Sequence, residues 1–372
     1  MLKKFRDILL KLLTTRVAWP IVLTVGLLCT VSIMTLELIS PIRAERQQIH
    51  VAVGAAVILL VLTISFQNFG RIAFVLYALS LVLLVGVLGT APINHARRWF
   101  QLTASFSIQP SEIAKIAYVL MLARHLRYKR QLDSIKDLLT PFLLTLIPFA
   151  LILAEPDLGT ALLFPLTLYA MLIAAGARLR HLLAIALIVI LAAPGAFPFL
   201  KPYQQQRVID FGRSLAGTGK PHPQQAQSRM AVAAGGIWGL GAEGAKYVRP
   251  RQLPEAYTDF IFAVVGVQWG FAGCLLIVGL YLAFFAASVE IAGSTKDPFG
   301  RLMVVGLASM MLFQAMINMG MTMGIGPVTG VALPFVSYGG SSLLASMLTA
   351  GLLLNVSVRR QTHSAIMQYA PA

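Results

Sequence analysis

The sequence predicts an all-α integral membrane protein: ten transmembrane helices in a single polytopic domain over residues 1–372, with a long extracytoplasmic loop over residues 201–258. Three observations predict this. Of the 372 residues, 58% are hydrophobic and only 12% are Asp, Glu, Lys or Arg, against roughly 25% charged in soluble domains. The apolar residues come in runs close to the length that crosses a bilayer, parted by short polar breaks. Lys and Arg crowd alternate breaks rather than all of them.

The opening MLKKFRDILLKLLTTRVAWP is basic and leads into an apolar stretch without a small-residue cleavage site, which predicts a retained signal anchor. Spans are placed near residues 17–37, 50–67, 72–90, 108–125, 138–155, 158–176, 181–200, 259–287, 302–321 and 338–358. The run 302–358 carries no charge, but Gly and Pro crowd its middle from Gly320 to Gly340. It is therefore two helices joined by irregular backbone, and such backbone survives in hydrocarbon only when it lines a cavity or is covered by protein.

With the N-terminus inside, the basic residues of 3–16, Arg71, those of 124–136, Arg178, Arg180, Lys296, Arg301, Arg359 and Arg360 face the cytoplasm. The short external loops keep only Arg43, Arg46, Arg97 and Arg98, so both termini are expected to be cytoplasmic. Loop 201–258 breaks the bias with eight basic residues, as a long translocated loop is free to do. It is rich in Gly, Pro and Gln, and a short amphipathic or re-entrant helix is expected near residues 224–238. No fixed-period or inverted repeat is evident.

The net charge of +16 belongs to these helix-flanking positions and forms no aromatic-interleaved module, so topology and anionic lipid account for it and nucleic acid does not. Cys29 and Cys274 lie in apolar segments and read as small buried hydrophobes, not as a disulfide or metal site.

The remaining charges need individual explanations. In RQLPEAYTDFIFAVVG, Glu255 and Asp259 stand at the threshold of a long uncharged run. Asp259 is either a helix cap or a partly buried carboxylate poised to accept a proton, with Glu255 one turn earlier orienting the same group. In IQPSEIAKIAYVLMLARHL, Glu112 and Lys115 share a helix face. They form a first-turn acid with a snorkelling lysine, or a lysine reaching a polar cavity. EPDLGT places Glu155 and Asp157 in a turn, as interfacial acids or as groups that orient a base or a cation. Arg98, beside Arg97 and Trp99, is an interfacial anchor or a pyrophosphate clamp. Arg207 and Lys246 are weaker candidates for the same clamp.

Taken in order, RRWFQLTASFSIQPSEIAKI, AEPDLGT, YQQQRV, QSRMAVAAGGIWGLGAEG, LPEAYTDFIFAVVG and GMTMGIGPVTGVALPFVSYGGSSLL resemble the SEDS family of shape, elongation, division and sporulation proteins. The resemblance covers nearly the whole chain and is closer to the rod-shape members than to the division members. It implies ten transmembrane helices in the bacterial cytoplasmic (inner) membrane and a peptidoglycan glycosyltransferase active at the outer face. The family's essential aspartate falls on Asp259, its Arg-Trp motif on Arg98 and Trp99, its PSE-x-AK motif on Pro110, Ser111, Glu112 and Lys115, its PDLGT motif on residues 156–160, its loop arginine on Arg207 and its SYGGSS turn on residues 337–342. One departure stands out: Val267 and Gln268 replace the acidic pair usual after the aspartate motif.

The implied substrates are lipid II and the undecaprenyl-pyrophosphate-linked glycan. Asp259 would serve as general base on the GlcNAc 4-hydroxyl, and Arg98, Lys115 and Arg207 would neutralise the departing pyrophosphate. No cofactor is certain. A divalent cation, Mg or Mn, is a further expectation, with its ligands left open and its site weakened by the loss of the acidic pair at Val267 and Gln268. A class B penicillin-binding protein acting as transpeptidase, and other elongation-complex proteins, are the implied partners. A lipid-linked precursor transporter, a division-specific polymerase and a scaffold for cell-wall enzymes are the competing expectations.

Overall fold

The computed structural model describes residues 12, 14–90, 97–101, 107–128, 132–199, 205–206, 209, 212, 222–248 and 253–359. Helices α1 (Trp19–Glu37), α2 (Pro41–Thr63), α3 (Phe66–Leu88), α4 (Pro110–Leu126), α5 (Ile135–Ala154), α6 (Leu158–Ala174) and α7 (Leu179–Ala196) form the first part of the bundle. After them come α8 (Pro223–Ala234), α9 (Ile261–Ser294), α10 (Pro298–Met323) and α11 (Gly340–Arg359). An antiparallel ribbon, β1 (Phe100–Gln101) with β2 (Ser107–Ile108), leads into α4.

Each expected apolar run contains a helix. Seven described helices are long and apolar enough to cross a membrane, and Leu158–Ala174 and Leu179–Ala192 are shorter apolar helices. Helix α4 has 17 residues and carries Glu112, Lys115 and Arg124. The chain is thus an all-α multi-pass membrane protein. Helix α2 begins earlier than its apolar run because Pro41 takes the first helical position after extended Ser40, so Arg43, Glu45 and Arg46 ride on its first turns. Asp297 caps α10 by accepting from the N–H groups of Phe299 at 2.8 Å and Gly300 at 3.1 Å.

Helices α4, α10 and α11 and the first half of α9 are the buried centre, while α3 and α7 turn Phe74, Val75, Ile188 and Leu191 outward. Helices in hydrocarbon associate by close packing at small residues. Gly54 on α2 meets Met347 on α11, and Gly306 on α10 meets Val119 and Met171; a Cβ added at either would lie within 2.6 Å of a neighbouring side-chain atom.

The ninth helix is not the single unbroken span that its uninterrupted apolarity suggests. It breaks at Gly270, which adopts φ 67° and ψ −160°. Helix α8 packs on α9, and the turn that follows it enters the break. Leu240 N–H donates to Val267 O at 2.9 Å, Phe271 N–H to Gly236 O at 2.9 Å, and Ala272 N–H to Ile237 O at 3.1 Å. Backbone groups freed by the break are thereby paired within the protein. Only glycine fits here, since a Cβ on Gly270 would lie 2.4 Å from Ile237 O.

Candidate active site

The segment that carries Asp259 is a tight turn fastened from three sides. Glu255, at φ 60°, turns its carbonyl to receive the N–H groups of Thr258, Asp259 and Phe260 at 3.2, 3.0 and 3.2 Å. Ser337 Oγ donates to Thr258 O, and Tyr338 N–H donates to Tyr257 O at 2.9 Å. On α10, fully buried Asn318 uses both amide hydrogens on main-chain carbonyls, those of Asp259 and Val331, each at 2.7 Å.

The Asp259 carboxyl is half-buried just ahead of α9. Burial, above all, raises its pKa to about 7; the carboxylates of Glu255 and Asp157 raise it further, while a Thr258 hydrogen bond and Arg98 oppose the shift. Gly330, at φ +73°, lies beneath it, and a Cβ there would stand 3.2 Å from Asp259 Oδ2.

The turn before α6 meets the same segment. Gly159 packs so tightly that a Cβ would lie 2.3 Å from Val331 Cγ2 and 2.7 Å from Thr329 Cβ. Asp157 caps α6, accepting from Thr160 N–H at 3.1 Å and Thr160 Oγ at 3.0 Å, with Gln109 Nε2 at 3.4 Å. Arg98 binds this turn as a fork: Nε donates to Glu155 O at 3.1 Å, Nη2 donates to Pro156 O, and Nη1 lies 3.7 Å from Asp157 Oδ2. Glu155 is fully buried, and among the described residues neither of its carboxyl oxygens has a hydrogen-bond partner. Burial pushes its pKa up to about 8, with Asp157 adding to the shift and Arg98 opposing it.

Lys115 does not reach open solvent. Its Nζ donates to Glu112 Oε1 at 3.0 Å and to Gln314 Oε1 at 2.7 Å, and both charged residues are buried. Gln314 in turn donates to Ala332 O at 2.9 Å. Polar residues thus link the PSE-x-AK helix to the backbone beneath Asp259. Glu112 also lines a mostly apolar cavity of about 380 Å³ bounded by α2, α3, α4 and α11, with Gln109 and Ser341 among its polar lining residues.

The structure therefore brings Asp259, Glu255, Asp157, Glu155 and Arg98 into one region and connects Glu112 and Lys115 to it through Gln314. Lys246 instead pairs with Glu243 at 3.8 Å on an exposed turn, and Arg207 lies outside the described residues. Where the family carries its acidic pair, Val267 and Gln268 are buried, and Gln268 Nε2 donates to Thr35 O at 3.3 Å.

Sequence reasoning passed over several supporting residues. Asn318 and Gln314 stand four residues apart on one face of a helix that carries no charge after Arg301, which was the available signal. Gln47 donates to Ser337 O at 3.1 Å, Ser32 donates to Val336 O at 2.7 Å, and the Arg43 guanidinium stacks 3.8 Å from the centre of the Tyr257 ring. These groups tie α1 and α2 to the turn that holds Asp259.

The family model described as a cell cycle protein, FtsW/RodA/SpoVE, matches residues 10–362. A probable peptidoglycan glycosyltransferase FtsW from Geobacter sp. (strain M18) is 38% identical over 289 residues, 76% of each chain. Peptidoglycan glycosyltransferase RodA from Treponema pallidum is 30% identical over 388 residues, 85% of this chain and 89% of that one. A solved chain from work on polymerization and crosslinking by a peptidoglycan synthase complex superposes with TM-score 0.80 at 32% identity, covering 92% of this chain and 98% of its own. Rod shape determining protein RodA of Thermus thermophilus gives TM-score 0.69 at 30% identity, covering 92% and 97%. The chain belongs to the FtsW/RodA/SpoVE family of cell cycle proteins, the SEDS family that its motifs resemble.

Proposed function

We propose that this protein is a peptidoglycan glycosyltransferase that polymerises lipid II into glycan strands, joining O4 of an acceptor GlcNAc to the anomeric carbon of a donor MurNAc. The single observation that carries the mechanism is the Asp259 carboxyl, half-buried beside Glu255, Asp157 and Arg98 while its main chain is fixed by Asn318. A base with a pKa near 7 removes a proton efficiently near neutral pH. Asp259 takes the hydroxyl proton as O4 attacks, the bond to pyrophosphate breaks, and the α linkage inverts to β. No acid is required of the protein, because undecaprenyl pyrophosphate leaves as a stable anion.

Arg98 contributes positive charge at the edge of the site while fixing the 155–157 turn. The cavity between α2, α3, α4 and α11 suits a polyprenyl tail, being mostly apolar with polar lining at Glu112, Gln109 and Ser341. Among the described residues no group of three or more His, Cys, Asp or Glu is placed to hold a metal ion. The roles assigned here are those of the side chains.

In the full reading, ten helices span the cytoplasmic membrane, both termini are cytoplasmic and Asp259 faces outward. Loop 201–258 lies over the growing strand, a class B penicillin-binding protein acts beside the polymerase, and the cellular role is elongation. Family membership and the likeness to a chain from a peptidoglycan synthase complex support this reading.

Release of undecaprenyl pyrophosphate from lipid II in detergent micelles tests the chemistry where transport has no meaning. Stoichiometric release with strand formation supports a polymerase. Intact lipid II, in the presence of the cognate penicillin-binding protein, contradicts it.

A further inference from the structure

Two cations expected at the pyrophosphate are engaged by protein: Arg98 by the 155–157 turn and Lys115 by Glu112 and Gln314. An exposed guanidinium lies on the other side of the irregular 324–330 segment. Arg229 of α8 rests against Gly324, where a Cβ would stand 2.9 Å from its Cδ. Among the described residues it has no hydrogen-bond or ion-pair partner. Beside it opens a cavity of about 550 Å³, lined by Ala226, Met230, Val232, Ala233 and Met323. That volume falls in the usual range of ligand sites. An apolar floor with one cation at its rim matches an amphiphile with an anionic head.

The groove is tied to the site. Gln225 Nε2 donates to Met321 O at 2.9 Å and to Gly326 O at 2.8 Å, and Ser228 Oγ donates to Thr322 O at 2.7 Å. Helix α8 thus pairs the last carbonyls of α10, and the chain then runs from Gly324, beside Arg229, to Gly330, beside the Asp259 carboxylate. That stretch spans at most roughly 20 Å.

We infer that this groove is a second polyprenyl-pyrophosphate site, which takes the acceptor lipid II, with Arg229 on its pyrophosphate. The inference rests on the glycosyltransferase reading: joining two lipid-linked saccharides requires two carriers at once, and the cavity lined by Glu112 holds one. The donor's pyrophosphate leaves at the reacting carbon, whereas the acceptor's is a whole disaccharide away from the reacting O4. Arg229 and Asp259 stand at opposite ends of the 324–330 segment, so a pyrophosphate on one and a hydroxyl at the other are held apart.

The test places a photo-crosslinking residue at Met230 in the full protein with its penicillin-binding partner and adds radiolabelled lipid II. Saturable labelling is expected, displaced by undecaprenyl pyrophosphate but not by equal phosphatidylglycerol. Arg229→Gln should cut labelling at least fivefold and raise the KM for lipid II about tenfold with kcat within about twofold, and Arg229→Lys should restore part of both. Equal displacement by phosphatidylglycerol, or unchanged labelling and KM in Arg229→Gln, would overturn the site. Saturable, Arg229-dependent labelling in a protein that releases no undecaprenyl pyrophosphate would retain the groove and contradict the polymerase.

Discussion

Asn318 holds Asp259 by its main chain and leaves its carboxylate free: the amide nitrogen lies 2.7 Å from Asp259 O and equally 2.7 Å from Val331 O. One buried side chain thereby sets the height of the acid and of the backbone beneath it. Asn318→Leu strands two carbonyls, a cost of roughly 2–4 kcal/mol, and lets the acid shift. Misplacement of about 1 Å costs on the order of 100-fold in rate. Strand synthesis should fall by at least tenfold, with lipid II binding less affected, which a comparison of kcat and KM reads directly.

Asp259 must be ionised to act as base. With its pKa raised to about 7, polymerisation should fall about tenfold per pH unit below that value. Glu255→Gln removes a like charge, so Asp259 ionises more readily and the acid limb moves to lower pH. A pH–rate profile whose acid limb is identical in the two proteins would show that Glu255 exerts no such influence.

Gly330→Ala tests the space beneath the acid. Its φ of +73° disfavours any side chain, and the new Cβ would press on Asp259 Oδ2 at 3.2 Å. A loss of tenfold or more in strand synthesis is expected, with the protein still eluting as a folded species from size-exclusion chromatography.

The bundle was legible in the sequence because apolar runs and basic breaks are local signals: each expected span contains a helix. The site was legible only as separate motifs. Asn318 and Asp259 lie 59 positions apart, and Lys115 and Gln314 are 199 apart, so neither contact leaves a periodic trace. The Glu112 partner of Lys115 could be read from their spacing, but Gln314 and the 155–157 carbonyls held by Arg98 could not, because they come from distant parts of the chain. The break at Gly270 was hidden by uninterrupted apolarity, for its cause is the turn of Gly236 to Leu240 arriving from another part of the chain.

Glu155 predicts a stability effect of definite sign. Its pKa rises from 4.5 in the unfolded chain to about 8 in the fold. The contribution of its protonated form is complete below about pH 4.5 and is lost as pH rises through about 8. Glu155→Gln removes that loss. Its melting temperature should exceed the native protein's most at pH 9, by less at pH 6, and approach it only near pH 4.5. A difference that does not grow with pH would mean that Glu155 is paired in solution.

Arg98→Lys retains charge but lacks the fork that reaches Glu155 O, Pro156 O and Asp157 together. A kcat reduced by about tenfold or more is expected. Full activity in this variant would reduce Arg98 to a simple positive charge.

The most direct measurement is polymerisation of labelled lipid II by purified protein with its penicillin-binding partner, the transpeptidase blocked, comparing native protein with Asp259→Asn at matched folding. With Asp259 as the base, the native protein yields long glycan strands and the variant yields none. Equal strands from both would contradict the assignment.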